Sequence, residues 1–123
     1  RYRPTDILLN RLSQRCSTIR LSGAHNSDVN QLYTITKRIV NVRPTYIDHN
    51  NKYGMWWDGQ AGEDGNWIIG HYSNIDNNKL DYGFMVNDQD TSCPSQSEHW
   101  DEYYNSEWAA NVNAHVSCDG TYQ

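Results

Sequence analysis

Aliphatic side chains and phenylalanine are scarce in this chain. It has one Phe against five Trp and nine Tyr, and its hydrophobic fraction is only 37%. A length of 123 residues predicts one domain. Its core must therefore be built largely from rings, and each indole N–H or phenol O–H put inside needs a partner. Positive charge is nearly missing after residue 43: residues 44–123 hold two Lys and thirteen Asp/Glu, whereas residues 1–43 hold eight Arg/Lys and two Asp. An acidic body of this kind excludes nucleic acid as the main partner. No apolar run reaches membrane-spanning length, so no membrane span is expected. The chain opens at Arg1 with no apolar signal segment, which reads as a mature or trimmed chain.

Chemical motifs are missing too. No Gly-x-Ser-x-Gly, Gly-rich phosphate loop, EF-hand loop or Asn-x-Ser/Thr sequon occurs. His25, His49, His71, His99 and His115 are not paired at ligand spacing, and there is no Cys-x-x-Cys, so zinc is not expected. Catalysis has no motif to rest on, and the chain reads as no enzyme. A small hydrolase ranks third among the functions considered.

Three cysteines are present: Cys16, Cys93 and Cys118. In an oxidising compartment the natural pair is Cys93 with Cys118, closing the shorter loop. Cys16 is then the odd thiol, buried and free or in an intermolecular disulfide.

What is there is mostly strand pattern. Residues 4–15 form a short helix candidate: Thr5 or Asp6 can cap it, and Leu8 and Leu12 stack at i, i+4. Residues 1–15 are set apart as a helical, basic segment, and 16–123 as an aromatic-rich β domain. From Cys16 the period becomes two. Strands are expected at 16–22, 32–36 with 39–42, 45–47, 53–57, 66–70 and 82–86, punctuated by Gly, Asn and Asp turns. Pro44 marks an edge or a new strand start. Ser95 and Glu98 have capping-box spacing, and Trp100, Tyr104 and Trp108 follow at i, i+4, i+8. This suggests a helical turn near 97–108, with two short aromatic strands as the alternative. The last strand alternates Val112, Ala114, Val116 and Cys118 with polar residues, one face buried and one wet. The fold class is mainly β, a small antiparallel sandwich or barrel.

An ordered set of motifs runs through residues 16–118: Cys-x-x-Ile-x-Leu-Ser-Gly (16–23), Leu-Tyr-Thr-Ile (32–35), Asn-Val-Arg-Pro-Thr-Tyr (41–46), Tyr-x-x-Trp-Trp (53–57) and Asn-Trp-Ile-Ile-Gly (66–70). Cys93-Pro94, Trp100, Trp108 and Val-x-x-x-Val-x-Cys (112–118) complete it. The set resembles a recurring aromatic-rich extracellular domain of marine invertebrates, often repeated in large secreted or receptor-like proteins. Val42 stands where that pattern has Gly. The resemblance implies an extracellular, non-catalytic, disulfide-stabilised β module and names no ligand.

The candidate ligand site is the tryptophan-dense stretch 41–70. Exposed rings stack on sugar faces while Asp and Asn take the hydroxyls, which nominates Trp56, Trp57, Asp58, Glu63, Asp64, Asn66 and Trp67. Adjacent Trp56 and Trp57 must point to opposite sheet faces, so one of them is expected outside. The competing expectation is that all five Trp are packing residues. Asp58, Glu63 and Asp64, or Asp76, Asp81, Asp88 and Asp90, are oxygen donors suited to Ca²⁺, against a default of solvated loop carboxylates. The reading is a secreted lectin-like module for glycan or an extracellular matrix protein. The alternative is a structural protein of a matrix, egg coat, shell or adhesive. Self-association through Cys16 or the basic N-terminal segment is compatible with both.

Overall fold

The computed structural model describes residues 16–59, 65–75 and 83–119; the helix expected at 4–15 and the carboxylates Glu63, Asp64, Asp76 and Asp81 lie outside them. The strands are β1 (Thr18–Ser22), β2 (Leu32–Val40), β3 (Arg43–Asp48), β4 (Tyr53–Asp58), β5 (Asn66–His71), β6 (Gly83–Asn87), β7 (Asp101–Tyr104), β8 (Glu107–Ala110) and β9 (His115–Cys118). They form one antiparallel sheet in the order β8-β7-β6-β5-β4-β3-β2-β1-β9. The sheet curls into a half-barrel, and the described residues hold no α-helix, only 3-10 turns. It is therefore a single curled sheet and not two packed ones. Every neighbour pair is consecutive in sequence except β9, which returns to lie beside β1.

Period-two patterning decides the two faces. Tyr53, Met55 and Trp57 of β4 join Trp67 and Ile69 of β5, Met85 of β6, Tyr33, Tyr46 and Ile19 in the main core on the inner face. The intervening Trp56 and Ile68 sit on the outer face, where Ile75, Tyr72, Val40 and Val86 cover them. This is why β4 and β5 read as continuous apolar runs: both faces are covered. The phenol of Tyr33 donates to the Val29 carbonyl at 2.7 Å. Burial, reinforced by Asp48 and Tyr53, raises its pKa and keeps it neutral.

Three expectations are corrected. First, residues 97–108 are not helical. A 3-10 turn at Pro94–Gln96 comes instead, with Gln96 Oε1 accepting from the backbone N–H groups of Ser92 and Cys93. His99 then enters the left-handed region, and Asn105 and Ser106 do so together, as a two-residue primed hairpin turn requires. A spacing of four is even, so it fits a strand as well as a helix. Second, the last strand is shorter than its alternation. Val112 is 91% exposed while Asn111 is buried, because 111–114 bridges from β8 to β9. Third, the disulfide joins Cys16 to Cys118, and Cys93 is a free buried thiol. Pairing of β1 with β9 sets Cys118 opposite Ile19, and the Cα atoms of Cys16 and Cys118 lie 5.8 Å apart. Cys16 is thus unavailable for an intermolecular bridge. In the chain-entropy account a loop this long stabilises by about 4–5 kcal/mol. Of the two places expected for Pro44, an edge or a new strand start, the structure has the second: Pro44 follows Arg43 at the start of β3, opposite Ile39.

Candidate functional site

The tryptophan-dense stretch is a packing centre. Trp56 and Trp67 are fully buried and Trp57 is 6% exposed, so neither member of the Trp56–Trp57 pair is open to solvent. Pairing of β4 with β5 does bring the nominated residues together: Trp57 lies opposite Trp67, and Asp58 opposite Asn66. The two indoles meet edge to face at 5.7 Å. The Arg43 guanidinium sits 3.7 Å from the Trp57 ring centre. It also donates to the Thr91 carbonyl at 2.6 Å and pairs with Asp90. Trp67 Nε1 donates to Thr91 Oγ1 at 3.0 Å. A Cβ on Gly59 would meet Trp57 Nε1 at 2.2 Å, and one on Gly65 would meet the same ring at 2.6 Å. Gly59 and Gly65 thus let the backbone at these two positions approach the indole closely. Asp58 is buried, Oδ1 finds no partner among the described residues, and burial raises its pKa. Among the described residues no group of three or more His, Cys, Asp or Glu is placed to hold a metal ion.

Among the described residues the exposed aromatic rings are elsewhere. Of the five Trp only Trp108 is exposed, at 40%, joined by Tyr103 at 46% and Tyr104 at 45%. All three belong to the β7–β8 hairpin. The register Met85↔Glu102 and Glu102↔Ala109 puts Glu102, Tyr104, Glu107 and Ala109 on the inner face of the sheet. Tyr103 and Trp108 face each other on the outer side with ring centres 5.5 Å apart.

On the inner side the apolar core gives way to a polar latch. Glu102 is 2% exposed. Its carboxylate accepts from the backbone N–H groups of His25 (2.9 Å) and Asn26 (3.0 Å) and from Asn111 Nδ2 (2.8 Å). Asn111 Nδ2 also donates to the Gly23 carbonyl at 3.0 Å. Gly23 has φ +79, and a Cβ there would lie 1.9 Å from the Asn113 carbonyl oxygen, so only glycine fits between the loop after β1 and the 111–114 connection. The latch ties that loop to the hairpin across the curl of the sheet.

Beside the latch is a cleft of about 260 Å³ lined by His25, Glu102, Tyr104, Asn105, Glu107, Ala109, Ala110 and Asn111. His25 and Tyr104 stack with ring centres 4.8 Å apart and planes 19° from parallel, forming one wall. Ala109, small and opposite Glu102, leaves the floor open. Half-exposed Tyr104 and exposed Glu107 and Asn105 border solvent. The cleft brings a tyrosine ring, a carboxylate and an amide together within one hairpin, beside a buried carboxylate that already accepts three hydrogen bonds. The one signal for it in the sequence is Tyr103-Tyr104 and Trp108 flanking Asn105-Ser106, which fits a two-residue hairpin turn. No family model, curated protein or solved structure matches the chain.

Proposed function

We propose that the domain is a secreted, non-catalytic binding module that takes carbohydrate in the cleft between the β7–β8 hairpin and the loop carrying His25. The observation that carries this reading is the Tyr104–His25 stack beside the cleft. An aromatic π-face is electron-rich and favours the weakly positive C–H face of a sugar ring. Glu107 accepts hydroxyl hydrogens, and Asn105 both donates and accepts. Few but convergent polar groups around an apolar surface are what a small-ligand site requires. The Cys16–Cys118 disulfide fits an oxidising compartment, and the resemblance to extracellular aromatic-rich modules points the same way. The tryptophans 56, 57 and 67 serve this reading as scaffold.

A glycan array run with and without EDTA tests it. Saturable binding is expected, weakened at least about tenfold by Tyr104→Ala with the melting temperature unchanged. An array without hits, or binding indifferent to Tyr104→Ala, overturns the reading. A structural role in an extracellular matrix or coat is favoured by a different observation, that β8 has β7 as its one strand partner among the described residues, and would appear as stable self-association without glycan binding.

A further inference from the structure

The two ends of the sheet are not equivalent. β9 carries the disulfide, and the Pro94–Gln96 turn packs against it. Among the described residues β8 pairs with β7 alone, and all four of its residues are exposed. It has no proline, lysine or bulge of the kind that blunts an edge strand, and one charge, Glu107, at its end.

The backbone groups it offers follow from the register. Antiparallel partners alternate between hydrogen-bonded and non-hydrogen-bonded pairs. The Asn111 N–H donates to the Trp100 carbonyl at 2.9 Å, so that pair is bonded. Stepping along the ladder, Glu102↔Ala109 and Tyr104↔Glu107 are then bonded, and Asp101↔Ala110 and Tyr103↔Trp108 are not. The N–H and C=O of Trp108 and Ala110 therefore point away from β7, to the open side.

We infer that β8 pairs antiparallel with β8 of a second copy of this chain, about a two-fold axis through Ala109. In this register Trp108 and Ala110 of each copy exchange both bonds with Ala110 and Trp108 of the other. A register centred on Trp108 would need Ser106, which is in the turn with φ 65. One centred on Ala110 would need Val112, beyond the strand. Only the Ala109 centre engages both outward residues with strand residues. It sets Ala109 against Ala109, which small side chains tolerate, and Glu107 against Asn111, so no like charges meet. On the outer face each Trp108 indole lies beside the second copy's Ala110, which leaves it room, with Tyr103 behind. The contact is isologous and uses the open edge of each copy, so it closes at a dimer. The inner faces of both copies lie on one side of the joined sheet, and the two clefts flank the axis. The dimer stands whether or not the cleft binds sugar.

Sedimentation velocity across a concentration series tests this, with a non-reducing gel to confirm that no disulfide links the copies. A dimer whose share rises with concentration is expected. Ala110→Pro removes an N–H that points outward and breaks no bond to β7, so it should leave a folded monomer at every concentration. Trp108→Lys, placing a charge on the edge, should do the same and serves if the proline variant fails to fold. A wild type that stays monomeric throughout, or folded variants that dimerise as it does, overturns the inference.

Discussion

The β4–β5 ladder and the β7–β8 hairpin are both aromatic antiparallel pairs, yet they play opposite parts. In the first, Trp56, Trp57 and Trp67 are buried because the sheet continues on both sides and both faces are covered. In the second, Tyr103, Tyr104 and Trp108 stay half-exposed because the hairpin ends the sheet. Tryptophan density therefore reports burial where a strand is central. Isolated rings report a surface where the strand is an edge. The same residue type is scaffold in one place and candidate contact in the other, and position in the sheet decides which.

The hardest way to break this contrast is to truncate one ring from each region. Trp57→Ala removes an indole packed against Arg43, Trp67 and the backbone of Gly59 and Gly65. It should cost about 3–5 kcal/mol in urea denaturation. Trp108→Ala should cost less, about 1–2 kcal/mol, since the ring is 40% exposed and its ring partner is Tyr103. Equal costs would mean that the hairpin is as much core as the ladder.

Glu102 tests whether the hairpin is held by its latch rather than by its rings. Glu102→Ala leaves the N–H groups of His25 and Asn26 and the Asn111 amide without their acceptor. A loss of roughly 2–3 kcal/mol is expected. Amide exchange should accelerate in β7, β8 and the loop after β1 before it does in β4 and β5. Uniform acceleration would deny the latch a local role.

Much of the strand layout was legible because its cause is local. Alternation at Tyr53–Trp57 and turn residues such as Asn50-Asn51 locate strands without knowledge of their neighbours. The disulfide was not legible, since it depends on β9 returning to β1 across the whole chain, and nothing near Cys118 encodes that partner. The site was missed for a related reason. Whether a Trp-bearing strand is central or terminal is a property of the sheet, and the even spacing of Trp100, Tyr104 and Trp108 fits helix and strand alike. Val42 is a further case. A β-branched residue does not announce a turn, yet Asn41 and Val42 link Val40 to Arg43 with φ 53 and 67.

That turn supplies the third prediction. A β-branched residue in the left-handed region is strained by on the order of 1–3 kcal/mol. Glycine there relieves the strain but gains freedom in the unfolded chain, worth about 0.4–1 kcal/mol against it. Val42→Gly should therefore stabilise by roughly 1 kcal/mol net and raise the melting temperature by a few degrees. It should do so without touching glycan binding or dimerisation, because it lies on the ladder side of the molecule. A fall in stability would mean that the exposed valine makes contacts that outweigh its strain.

The smallest effect expected comes from Asp58, and its sign separates a buried scaffold carboxylate from a ligand-binding one. Burial raises its folded-state pKa above the ordinary carboxylate value, so the native state holds the proton more tightly than the unfolded chain. The stability this group contributes is fully present below the unfolded pKa and is lost as pH rises through the folded one. Asp58→Asn, neutral at every pH, escapes that loss. The variant should match the wild type in melting temperature near pH 3 and exceed it slightly at pH 7, with glycan binding unchanged. If Asp58 instead served a ligand or cation from the 58–66 loop, its ionised form would be needed, and the substitution would weaken binding at pH 7. A titration of melting temperature with and without EDTA, alongside binding, distinguishes the two. A gain in stability with binding intact keeps Asp58 with the tryptophans of the ladder and leaves the hairpin as the recognition surface.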